Sequence, residues 1–227
     1  MGGNSMTSYP PNLAVVRNYS AHRYVTRRTN YYFPLKSFVG GLLFKGAMNY
    51  AVEMDMLLDL RPGKWGLLIL PRSMRTEILV GLGRMAERGP LLVLDGGNRF
   101  NAYVVSRAVR GRREVLERIQ ISRAFTCYQM VSLLEGLPET NVSVVCLDFL
   151  ATFFDESLPS RERQRLLYSC LPHFARLGKS ASLIVNVFPP KMLLPETAAF
   201  LEILQKNAGN VWAAELPPPP PEPLRLF

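Results

Sequence analysis

The chain has 227 residues, 48% of them apolar, which is enough to bury a core in one principal domain with decoration. Its formal charge of +9 raises the prior for nucleic acid or another polyanion as a partner without specifying which. No apolar run approaches the ~18–20 residues needed to cross a bilayer, and the N-terminus lacks the basic, apolar, small-residue order of a secretory signal. A soluble cytoplasmic protein with no membrane partner is expected.

Cys127, Cys146 and Cys170 are odd in number, far apart and set among apolar residues, the pattern of small core residues and not of a disulfide framework or metal site. The only histidines, His22 and His173, have no ligand-like spacing to any cysteine. A metal site and a histidine-based nucleophile are therefore not expected. Met6 stands where an N-myristoylation signal needs Ser or Thr, which removes that reading of Met1-Gly2.

In chain order, residues 1–58 read as an irregular basic and aromatic arm. Arg17-Asn-Tyr-Ser-Ala-His-Arg-Tyr-Val-Thr-Arg-Arg-Thr-Asn-Tyr-Tyr-Phe33 interleaves four arginines with five aromatics. Arginine pairs with phosphate and tyrosine stacks on bases, so Arg17, Arg23, Tyr24, Arg27 and Arg28 suit single-stranded nucleic acid. The competing reading is an arm whose aromatics dock on the core while its arginines stay in water.

Regular patterning begins near residue 59. Trp65 to Leu70 is a continuous apolar run, as in a buried parallel strand. A helix is predicted over 74–88, then a strand over 91–94, two short helices over 101–110 and 112–118 hinged at Gly111, and a strand over 119–122. Thr126-Cys-Tyr-Gln129 matches a capping box opening a helix to about residue 135. Strands at 143–147, 181–187 and 210–215 alternate with helices at 161–177 and 196–207. This alternation predicts a mainly parallel α/β sheet with right-handed crossovers and helices on both faces, spanning 59–215. Pro217 to Pro221, in a tail from 216 to 227, predicts an extended polyproline conformation.

Ligands of open parallel sheets bind beyond the carboxyl ends of the strands. Three segments converge there: Leu70-Pro-Arg-Ser-Met-Arg-Thr-Glu77, Asp95-Gly-Gly-Asn-Arg99 and Asp148-Phe-Leu-Ala-Thr-Phe-Phe-Asp155. Together with Ile121-Ser-Arg-Ala-Phe-Thr-Cys-Tyr-Gln129 and Val144-Val-Cys-Leu-Asp148, this order resembles the RecA-like recombinase family and its KaiC-type relatives. The resemblance implies a RecA-like core in which the run ending at Asp148 is the Walker B strand.

The departures bear on activity. A phosphate loop of the form G-x-x-x-x-G-K-[ST] needs close backbone approach, a lysine on the phosphates and a hydroxyl on magnesium. Here its glycines fall at Leu70 and Arg75, its lysine at Thr76 and its hydroxyl at Glu77. The family's catalytic glutamate falls near Gly97. Hydrolysis would lack its electrostatic stabiliser and its water-positioning group. No catalytic residue, metal or cofactor is expected; Arg72, Ser73, Arg75, Thr76, Asp95 and Asp148 are what remains for weak Mg–nucleotide binding. Asp95 and Asp148 also have a plain structural reading, as acids that close a strand and bond loop amides.

A second basic cluster, with Arg110, Arg112 and Arg113 around Gly111, is either a solvated face with Glu114 and Glu117 as partners or a continuation of the nucleic-acid surface. The favoured expectation is a non-hydrolysing RecA-like protein that binds DNA, single-stranded by preference, or assists a recombination or repair partner. The rivals are an inactive scaffold that pairs with a RecA-like ATPase subunit or with itself, and an ATPase with an atypical phosphate loop.

Overall fold

The computed structural model describes residues 61–154, 157–190 and 195–214 in full, with the backbone of Leu35–Val39 and Leu42–Leu43. Its strands are β1 (Leu35–Val39), β2 (Leu42–Leu43), β3 (Gly66–Ile69), β4 (Leu91–Asp95), β5 (Ile119–Arg123), β6 (Ser143–Leu147), β7 (Leu183–Val187) and β8 (Asn210–Ala214). Its helices are α1 (Arg75–Arg88), α2 (Ala102–Ala108), α3 (Arg113–Leu116), α4 (Cys127–Gly136), α5 (Ser160–Ser180) and α6 (Pro195–Asn207). The strands form one sheet in the order β2-β1-β8-β3-β7-β6-β4-β5. The six strands from β8 to β5 are all parallel, as the alternation of apolar runs and helical segments predicts.

Side chains alternate across the pleat of a strand, and the core divides accordingly. Leu67, Ile69, Leu94, Val144, Cys146, Leu183 and Val185 pack with α4, α5 and α6 in one cluster. Leu68, Leu91, Val93, Val145, Leu147 and Ile184 pack with α1 and Val105 of α2 in a second. Strands buried on both sides must be apolar at consecutive positions, which is why they read as continuous runs and not as alternating ones. The three cysteines are free and buried, and burial pushes the Cys146 thiol up to about 12.

Two differences from expectation concern the periphery. Leu35–Val39 and Leu42–Leu43, inside the segment read as an irregular arm, extend the sheet, with β1 antiparallel to β8 in the register Ser37↔Trp212. Such a short antiparallel addition carries no helical crossover to announce it. The two helices around Gly111 are shorter than predicted, because the backbone is left-handed at Arg110 and Gly111 (φ 55° and 71°). The expected arm residues Arg17, Arg23, Tyr24, Arg27 and Arg28, His22, Asp155-Glu156 and the proline tail lie outside the described residues. Among the described residues no helix is long and apolar enough to cross a membrane.

Phe174 of α5 lies at the centre of the first cluster, its ring 5.1 Å from those of Trp65 and Phe149. Phe174→Ala is expected to lower unfolding free energy by roughly 3–5 kcal/mol, read as a fall in urea midpoint with unchanged slope.

Candidate functional site

The carboxyl ends of β3, β4, β6 and β7 bring two acids to one place. Asp95 ends β4 and is wholly buried. Its Oδ1 accepts from the Arg99 amide at 2.8 Å and its Oδ2 from the Phe100 amide at 3.0 Å. The carboxylate thus closes the turn of Gly96-Gly-Asn-Arg99, in which Asn98 takes a left-handed φ of 51°, a conformation asparagine tolerates better than most residues. The Arg123 guanidinium at the end of β5 faces the same Oδ2 at 3.5 Å.

Asp148, one residue beyond β6, is 3% exposed. It is itself left-handed at φ 48°, and it makes no side-chain cap to the 3-10 turn Phe149–Phe153 that follows. Its Oδ2 instead accepts from Arg99 Nε at 3.1 Å. Arg99 therefore acts on both acids, closing the Asp95 turn with its amide and pairing with Asp148 through its side chain.

Two further features hold Asp148. Asn186, fully buried in β7, accepts from the Asp148 amide through Oδ1 and donates from Nδ2 to the Leu68 carbonyl, both at 3.2 Å. Gly96 and Gly97 let the β4 turn press against it. A Cβ on Gly97 would overlap the Asp148 carboxylate, and one on Gly96 would stand 3.0 Å from the Asp148 carbonyl.

Where a phosphate loop would precede α1, the chain instead makes a 3-10 turn, Arg72–Met74, running straight into the helix. Arg72, Ser73 and Thr76 are exposed. Arg75 is half-buried, with its guanidinium 5.7 Å from the Phe188 ring centre and its Nε buried without a hydrogen bond. Desolvation first, then the positive charges of Arg99 and Arg72, hold the Arg75 guanidinium below its ordinary value, while Asp148 opposes them. Burial raises the Asp148 carboxyl, and the hydrogen bond and charge of Arg99, a bond from the Phe188 amide and the charge of Arg75 pull it back. Glu77, in the first turn of α1, leaves Oε2 buried and without a hydrogen bond.

Of the residues singled out in the sequence, Asp95, Asp148 and Arg75 converge here. Arg72, Ser73 and Thr76 flank them on the β3–α1 connection. The cluster beyond α2 lies elsewhere. There Arg112 pairs with Glu87 and donates from Nε to the Val109 carbonyl, and Arg113 pairs with Glu117 at 2.8 Å. Arg110 is exposed. Sequence reasoning did not single out Arg99, Arg123 or Asn186. Arg99 and Arg123 stood within segments already placed near the strand ends, and Asn186 carried its own signal, as a lone amide inside the apolar run Leu183-Ile-Val-Asn-Val187, where a buried polar group is the informative exception.

Among the described residues no group of histidines, cysteines and acids is placed to hold a metal ion. No family model matches the chain, and no curated protein does.

Two outcomes are expected from this geometry. Gly97→Ala should destabilise by about 1–3 kcal/mol through overpacking against Asp148, measured by urea unfolding. Asp148 titrates above the usual carboxylate value of 3.8, so the folded state holds its proton more tightly than the unfolded chain does. Its contribution to stability then falls as pH rises from the unfolded value through the raised native one. Asp148→Asn, which keeps the shape and tolerates left-handed backbone, should flatten that fall in thermal-unfolding midpoints recorded from pH 4 upward.

Proposed function

We propose that the chain is a non-hydrolysing protein with a RecA-like core, helices covering both faces of its parallel sheet, that binds single-stranded DNA or assists a recombination or repair partner. One observation carries the non-hydrolysing part: the contact of 3.1 Å between Arg99 Nε and Asp148 Oδ2. In a RecA-like enzyme the acid at this strand end serves magnesium. Here a guanidinium from the neighbouring loop faces that carboxylate, and Arg75 adds a second positive charge beside it.

The residues present do not fit a magnesium–nucleotide. Dislodging Arg99 would leave the buried Asp148 carboxylate without its ion pair, and the β3–α1 connection has Thr76 and Glu77 where lysine and hydroxyl would act. Weak anion binding at Arg72 and Arg75 is the most this arrangement supports, and no chemical step follows from it.

The nucleic-acid part draws support from a different surface. Tyr103 and Arg107, one turn apart on α2, form an exposed pair with the Arg107 guanidinium 5.9 Å from the ring centre. Arg110 follows on the left-handed turn beyond the helix. An aromatic face beside exposed guanidinium groups suits an unstacked base and its phosphates. Arg112 and Arg113, engaged by glutamates, serve this less well.

Fluorescence anisotropy of labelled single- and double-stranded oligonucleotides, titrated at several salt concentrations, tests the reading. Single-stranded binding that weakens steeply with salt is expected. Changing Arg107 and Arg110 together to Ala should lower the logarithmic salt slope by about 1.4, at about 0.7 per lost single-strand phosphate contact. Absence of binding at low salt would overturn the DNA reading, and ATP turnover abolished by Asp148→Asn would overturn the non-hydrolysing one.

A further inference from the structure

Among the described residues the sheet has two unequal edges. At one, β2 offers two residues; at the other, β5 offers five with no strand outside it. The parallel ladder decides which backbone groups of β5 are free. The Leu91 amide donates to the Arg118 carbonyl at 3.0 Å, and the Ala124 amide donates to the Asp95 carbonyl at 3.1 Å. Hydrogen-bonding direction alternates along a strand, so Arg118, Gln120, Ser122 and Ala124 turn inward to β4. Ile119, Ile121 and Arg123 turn their N–H and C=O groups outward. Such a row is a template for another extended chain.

Beside this edge runs a groove of about 720 Å³ between β4, β5 and α4. Leu92, Leu133, Leu137 and Val142 supply apolar lining, and Phe125 stands at it 67% exposed. Arg118 and Arg123 also line it, and no carboxylate does. They sit at opposite ends of β5, roughly 16 Å apart at about 3.3 Å per residue. Arg118 donates through Nη1 to the Ala86 and Glu87 carbonyls, and Arg123 faces Asp95 through Nε. A guanidinium has five N–H donors, so each retains others for a further acid.

We propose that β5 and this groove take an extended, acidic segment of a partner protein. The segment adds as an outer strand, seats an apolar side chain against Leu133, Leu137 and Phe125, and sets acids at its two ends against Arg118 and Arg123. Charge selects this occupant over two others. Residues 1–34 of the chain itself hold four arginines and no acid, and would bring like charge to both ends of the strand. A second copy pairing β5 with β5 antiparallel would set Arg118 against the Arg123 end of its neighbour, and opposed like charges destabilise a strand pair. The inference does not rest on the DNA-binding reading or on the RecA-like one.

The test uses the full chain and two fluorescein-labelled peptides of about ten residues. Both alternate valine with serine; one has glutamates at each end and the other lysines. The glutamate peptide is expected to bind at least about tenfold tighter than the lysine one, and Arg118→Glu, which leaves one positive and one negative end, to abolish the preference. Hydrogen exchange should show the Ile119, Ile121 and Arg123 amides slowed when the glutamate peptide is bound. Equal affinity for the two peptides, or binding of neither at about 1 mM, would overturn the proposal. So would self-association with those amides already protected in the peptide-free chain, which would assign the groove to the protein's own copies.

Discussion

Two carboxylates buried at the ends of adjacent parallel strands create an electrostatic demand, and Arg99 meets part of it for both. Taking an ionised acid out of water is costly unless hydrogen bonds and opposite charge replace the solvent. Asp95 receives two loop amides and Arg123; Asp148 receives Arg99 and the Phe188 amide. Because one residue contributes to both sets, the β4 turn and the β6 turn are not independent structures. The glycines at 96 and 97 are a consequence: only a backbone without Cβ brings Arg99 near enough to reach across.

The same demand explains what the strand ends can and cannot do. A cation held by an open cluster of acids exchanges with solvent, whereas a guanidinium tethered to the loop is always present at high effective concentration. Arginine is also always charged and offers a planar fork matched to a carboxylate. Asn186 adds a neutral clasp from β7, tying the Asp148 amide to the Leu68 carbonyl, so that β3, β7 and β6 share one hydrogen-bond chain at the level where a ligand would enter.

How much of this was legible follows from the range of each interaction. The parallel strands and their helices were readable because burial on both faces leaves long apolar runs, and the Thr126 cap because its partners lie three residues apart. The structure refines the latter: Gln129 returns its side chain to the Phe125 amide, one residue earlier than the Thr126 amide a capping box uses. Asp95 and Asp148 were found by position, at the ends of apolar runs. The Arg99–Asp148 contact spans 49 residues, and no local spacing encodes it. The β1 and β2 strands were missed for a related reason, since β2 pairs only with β1 and the pairing of β1 with β8 is set by the far end of the chain.

Away from the strand ends, the two surfaces that stand out differ in kind. Around α2 the positive groups sit on a helix and beyond it, with side chains offered to solvent and an aromatic among them. At β5 the offer is made by the backbone, framed by an arginine at each end. A polyphosphate chain has no amide ladder to complete, so it gains from the first surface and little from the second. An extended acidic polypeptide gains from both the charge and the ladder at β5. Under the two proposals, the surfaces would discriminate between polyanions by whether the ligand carries its own N–H and C=O groups, so that a nucleic acid and a protein partner would not compete for the same groups.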